Sequence, residues 1–149
     1  MVSHSVFDNR VLVAAFLAWA LAQISKIFYE LIQQRKLILS RLVSAGGMPS
    51  SHSALVTGLA TATGRAVGVT SPIFAVAVVL ASIVMYDAAG VRRAVSIQAR
   101  ILNQMIEEAF QGSPMAEKRL RELIGHTPVQ VFVGALLGIA VGLLMTMPA

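Results

Sequence analysis

The chain contains no cysteine, which removes disulfides and thiolate metal sites and leaves the redox compartment unreadable. Charge is scarce as well, with Asp, Glu, Lys and Arg making up 13% of the residues. Aromatic residues are only 6%, so no basic surface studded with stacking rings is visible and nucleic acid is not expected as a partner. With three histidines in all, His4, His52 and His126, a catalytic zinc site is not expected, and no cofactor is called for. What remains is oily: 56% of the residues are hydrophobic and the mean hydropathy is +0.75, the composition of a membrane protein. The net charge is +5, and it gathers in the loops around the apolar spans, which suits anionic lipid or a phosphate substrate. At 149 residues there is room for one domain, read as residues 1–149.

Four spans of near-membrane length can be drawn: about Val11 to Ile32, Ser53 to Val69, Pro72 to Ala89, and Pro128 to Pro148. The expected fold class is therefore all-α, an integral membrane bundle of about four embedded helices. Ala20-Leu21-Ala22 resembles a signal cleavage site, but the helical pattern continues through Ile32 and reads as a span. Between the third and fourth spans, Ile101/Leu102, Met105/Ile106 and Ala109/Phe110 fall on one face of a helix over Val95–Phe110. Gln98, Arg100, Asn103, Glu107 and Glu108 fall opposite them. That amphipathic helix is expected at the membrane interface or packed on the bundle. Ser113-Pro114 then opens a short helix reaching Ile124.

Four spans place the two long loops on one side. They hold Arg35, Lys36 and Arg41, and Arg92, Arg93, Arg100, Lys118, Arg119 and Arg121, against Arg10 and Arg65 on the other side. This asymmetry predicts cytoplasmic basic loops with both termini outside. Small residues recur every fourth position in two spans, Ala54, Gly58 and Ala62 in one and Gly134, Gly138 and Gly142 in the other. Such stripes let helices approach closely in lipid, and pairing these two would bring their N-termini together.

Those N-termini carry the chemistry. Gly46-Gly47-Met48-Pro49-Ser50-Ser51-His52-Ser53 is a polar loop opening a helix: the glycines let the backbone approach a ligand, and free N–H groups would stand beside an imidazole. Gly125-His126-Thr127-Pro128-Val129-Gln130 repeats the arrangement before the last span. One such histidine alone reads as an interfacial polar residue, whereas two in matching positions point to a bound oxyanion. Lys26 shares a helical face with Gln23, Glu30 and Gln33, and reads as a phosphate ligand or as a lysine neutralised by Glu30. Arg92 and Arg93 suit phosphate oxygens or an ordinary stop signal, and Asp87 is placed to orient one of the cationic or imidazole groups. Thr127-x-x-Gln130 also spells a capping box.

These motifs, together with Tyr86-Asp87-Ala88, resemble the divergent branch of the type 2 phosphatidic acid phosphatase superfamily, which includes bacterial acid phosphatases and vanadium haloperoxidases. The resemblance runs from about Leu21 to Gly142. It implies that His126 is the nucleophile, His52 the acid–base partner, and Lys26 with Arg92 or Arg93 the phosphate ligands. Gly47, Ser50 and Ser51 would add to the phosphate cradle, with Arg41 a loose substitute for a further arginine. The pattern departs from the superfamily in two places. The arginine there stands close before the nucleophile, whereas 32 or 33 residues intervene here. Gln130 occupies the position of the carboxylate that orients the nucleophile.

The resulting expectation is a metal-independent phosphatase acting on a membrane lipid phosphate through a phosphohistidine. Phosphatidylglycerophosphate is the first substrate to consider and an isoprenoid diphosphate the second. Phosphate or vanadate is the expected active-site anion, and homo-oligomerisation is left open. Rival readings are a catalytically silent protein binding anionic lipid and, on the shared oxyanion cage alone, a vanadate-dependent halide oxidase.

Overall fold

The structure, a computed structural model, describes residues 5–34, 47–109, 120 and 125–147. Among the described residues, a 3-10 turn at Val6–Asp8 is followed by five helices: α1 Arg10–Gln34, α2 Ser51–Val67, α3 Pro72–Ala89, α4 Val91–Ala109 and α5 Pro128–Met145. The local signals act where the chain places them. Ser50, Ser71 and Thr127 each accept a backbone N–H of the following helix, and Pro72 and Pro128 occupy first turns, where a missing N–H costs nothing. Gly68, at φ +88°, ends α2 and turns the chain into α3. α1 runs unbroken past Ala20-Leu21-Ala22.

Among the described residues, three stretches are long and apolar enough to cross a membrane: Arg10–Tyr29 in α1, the stretch that begins at Pro72 in α3, and Pro128–Met145 in α5. The sequence suggested four. The fourth, α2, is 17 residues long and rich in Ala, Thr and Gly; it needs little hydrophobicity because α1, α3 and α5 all pack on it. The bundle is built around this central helix.

Its interior reverses the order of a soluble protein. Apart from Val56, Val131 and Val141, the buried hydrophobic residues are all alanines, while Phe16, Phe28, Ile73, Ile83, Phe132 and Leu144 point outward. Large apolar side chains gain nothing by leaving lipid, so helix association rests on close backbone approach, which only small residues permit. The two expected stripes meet. Cβ atoms added at Gly134, Gly138 and Gly142 would fall onto Ser50, onto Thr57 and Ala54, and onto Thr61 and Gly58 respectively. The Thr57 hydroxyl closes the seam by donating to the Ala135 carbonyl at 3.0 Å. A third stripe escaped the sequence reading: Ala14, Ala18 and Ala22 line the buried face of α1, and Lys26 continues it one turn further, at 4% exposure.

α4 corrects an expectation. It begins at Val91, directly after the Gly90 turn that ends α3, and its buried residues are Ala99 and Asn103. Ile101, Leu102 and Met105 are exposed. Asn103, expected on the outer polar face, instead clamps Leu120, donating to its carbonyl at 2.9 Å and accepting its N–H at 2.7 Å. Spacing shows which residues share a face; in a lipid-facing chain the apolar face has no reason to turn inward. The helix expected over Ser113–Ile124 and the basic residues Arg35, Lys36, Arg41, Lys118, Arg119 and Arg121 lie outside the described residues.

Gly138→Leu is expected to abolish or severely weaken the bundle, since even ordinary overpacking costs about 1–3 kcal/mol and here the obstacle is backbone. Thermal unfolding in detergent should show the loss, with the exposed-site variant Leu144→Val unchanged.

Candidate active site

Residues of α1, α2, α3, α4 and α5 converge at one end of the bundle. The α2–α5 seam sets both helix N-termini side by side, and the Ser50 N–H donates to the Gln130 carbonyl at 3.0 Å. The Gly125–Thr127 segment is fixed to the end of α3: the His126 N–H donates to the Ala88 carbonyl at 3.1 Å. The Gly125 N–H donates to the Ser96 hydroxyl at 3.0 Å. Gly125 also lies so close to the Arg92 and Arg93 backbone that a Cβ there would overlap it. The long sequence gap between the arginines and His126 is thus closed in space.

The two imidazoles face each other with ring centroids 6.2 Å apart and planes inclined at 63°. His126 is buried, at 2% exposure, and His52 is half-buried.

Gln130 decides the state of His126. Its Oε1 accepts the Thr127 N–H at 3.0 Å, completing the capping box, and the same oxygen lies 3.2 Å from His126 Nδ1. An oxygen already engaged by an amide N–H can only accept, so Nδ1 carries the proton. Nε2 is left with its lone pair, buried and without a hydrogen-bond partner in the neutral ring, and the Gly47 carbonyl favours its protonated form. Capping and orientation, alternatives in the sequence, are served by one side-chain oxygen.

The cations are placed unequally. Lys26 Nζ donates to Ser51 Oγ at 3.1 Å, and its aliphatic stem lies against Gly47, which has φ +97°. Arg92 Nε donates to Asp87 Oδ2 at 2.5 Å, so Asp87 orients an arginine rather than a histidine. Arg93 is exposed. Ser50 is fully buried, and its hydroxyl accepts from the Ser53 N–H at 3.3 Å and the Ser53 hydroxyl at 3.0 Å. It serves as the N-cap of α2. Arg41 lies outside the described residues, as do the side chains of Glu30 and Gln33. Among the described residues no three His, Asp or Glu side chains gather as metal ligands.

Both histidines titrate below the ordinary value of 6.5. For His52 the main cause is burial, followed by the positive charges of Arg92 and Lys26, with Asp87 opposing. For His126 burial again dominates; the Gln130 hydrogen bond opposes it, Lys26 and His52 reinforce it, and the Gly47 carbonyl opposes it. At neutral pH both rings are therefore uncharged, with Lys26 acting on each and Arg92 on His52.

The model of the Divergent PAP2 family matches residues 7–141. This chain belongs to that family. It is also 40% identical over 151 residues to the uncharacterized membrane protein YuiD of Bacillus subtilis (strain 168), covering 94% of this chain and 96% of that one. No solved structure matches.

Three positioning groups went unread in the sequence: the Ala88 carbonyl, the Ser96 hydroxyl and Asn103. Ser96 and Asn103 sit on the polar side of an amphipathic helix, where composition alone suggests solvent. The only available signal was Gly125, a glycine ahead of a histidine motif, which marks close backbone approach.

Arg92→Gln removes a charge that disfavours the His52 imidazolium, so the ring should titrate at higher pH; Asp87→Asn removes the opposing carboxylate and should shift it lower. NMR titration of the His52 ring reads both signs. Nitrogen chemical shifts of His126 at neutral pH should report a protonated Nδ1 and an unprotonated Nε2, the reverse tautomer being the contrary result.

Proposed function

We propose that this protein is a metal-independent lipid phosphatase that hydrolyses a phosphomonoester through a phosphohistidine. The observation that carries the reading is the buried Nε2 of His126, without a partner, on a ring 6.2 Å from that of His52, whose charge state Lys26 and Arg92 both influence. Nε2 attacks phosphorus, the bond to the leaving oxygen breaks, and His52, protonated once the anion is bound, supplies that oxygen's proton. A water molecule then attacks the phosphorus, gives its proton to His52 and frees inorganic phosphate and His126. Lys26, Arg92 and the first amides of α2 hold the equatorial oxygens, where charge must be stabilised. Ser51 contributes through its contact with Lys26.

Phosphatidylglycerophosphate is the proposed substrate, because the basic-loop asymmetry favours a cytoplasmic site and that lipid is made on that face. An isoprenoid diphosphate is the next to test. Purified protein in detergent with a chelator should release phosphate from such lipids, and vanadate should inhibit. His126→Ala should lower the rate at least about a thousandfold, while His52→Ala should let an acid-labile phosphoenzyme accumulate. Equal turnover by the wild type and His126→Ala would overturn the enzymatic reading.

One observation favours a second reading. Gln130 is neutral, so the imidazolium formed in the reaction lacks the charge a carboxylate would provide, and losses of several orders of magnitude follow such changes in hydrolytic triads. A protein that binds anionic head groups without turnover would show phosphate-dependent shifts of both histidine rings and no phosphate release.

A further inference from the structure

α1 and α3 both pack on α2, yet among the described residues their backbones do not come within 8 Å of one another. The faces of α2 are assigned by its partners. Ser51 and Gly58 meet α1 through Lys26 and Ala18, Val56 and Ala60 cluster with Ala77 and Ala81 of α3, and Ala54 and Thr57 meet α5. At about 100° per residue, His52, Leu55 and Leu59 fall between the α1 and α3 faces, opposite α5. These three are only half-buried, whereas Ser51, Ser53, Ala54, Val56 and Thr57 are buried. His52, Leu55 and Leu59 thus form one half-buried face of α2 between its α1 and α3 contacts, with His52 at one end. Cations flank that end, Lys26 on α1 and Arg92 just past the end of α3. A cationic end followed by a leucine face suits an amphiphile with an anionic head lying along α2.

We infer that the gap between α1 and α3 binds the hydrocarbon chain of the lipid phosphate, with the phosphate at His52 between Lys26 and Arg92 and the chain along Leu55 and Leu59. This assignment rests on the phosphatase reading of the same site. The other apolar groove, about 430 Å³ between α3 and α5 and lined by Gly64, Phe74, Met85 and Leu143, is the competitor. Its floor on α2 (Thr57, Ala60, Thr61, Gly64) lies roughly 150° around the helix from His52, Leu55 and Leu59. The segment joining the Ala88 carbonyl to α5 also bridges the two helices that form it, at the end nearer the histidines.

Leu59 lies about 10 Å along α2 from His52, so a phosphate whose chain is shorter than that does not reach it. Leu59→Trp should lower kcat/KM for a long-chain phosphate at least tenfold, mostly through KM, and change that for a short soluble phosphate less than twofold. Leu55→Trp should act alike, and Leu143→Trp, in the competing groove, should leave both substrates unchanged. Loss with Leu143→Trp in place of Leu59→Trp, or equal loss for both chain lengths, would overturn the assignment. A long-chain phosphate with a diazirine midway along the chain, photolysed in the His126→Ala protein, gives a readout independent of turnover. Adducts should concentrate on Leu55 and Leu59; adducts spread evenly around the bundle, or gathered on Leu143, mean annular lipid and overturn the channel. If the wild type releases phosphate from no substrate, the phosphatase reading falls, and the adduct map still decides where the chain lies.

Discussion

The close approach of α2 and α5 is the contact on which the rest of the structure depends. At Gly138 the two backbones come so near that a single methyl group would strike Thr57 and the Ala54 carbonyl. No comparable approach is available to leucine or valine, and lipid gives large side chains no reason to pack inward. The seam therefore consists of glycine, alanine and threonine, with hydroxyls satisfied by carbonyls across or along the helices. Without it the two histidine-bearing helix starts would have no common end of the bundle to occupy.

The same logic explains how a mostly neutral site binds charge. Burial disfavours cationic histidines, and Lys26 reinforces that at both rings, with Arg92 adding to it at His52. On the phosphatase reading proposed above, a bound dianion would reverse the balance and favour the imidazolium of His52. The positive potential is stored in Lys26 and Arg92, each tied down by a partner, Ser51 for one and Asp87 for the other. Fixed charges and dipoles of this kind need no reorganisation when the reacting group arrives.

Much of the architecture was legible in the chain. α3 begins and ends where its proline and glycine place it, and the Gly134, Gly138 and Gly142 stripe named its own partner helix. The histidine motifs were visible for a related reason, because helix starts have a local grammar of serine, threonine, proline and glycine. What was not legible has a physical cause in each case. The alanine stripe of α1 has no polar contrast to betray it, although Lys26 one turn further on was its end point. Asn103 looked like a solvated residue because a helical wheel has no inside until something packs against it.

The sequence by itself determined a helical membrane bundle, the ends of most helices, the pairing of the glycine stripes and the two imidazoles, because these follow from local periodicity and residue size. Tertiary structure decided which arginine stands at the histidines, what Asp87 orients, which nitrogen of His126 is free, and which side of α2 opens to lipid. Those outcomes depend on segments far apart in the chain. The arginine segment and His126 come together only because Gly125 nests on the backbone of Arg92 and Arg93, and the tautomer of His126 is fixed only because one glutamine oxygen faces both its ring and the Thr127 amide.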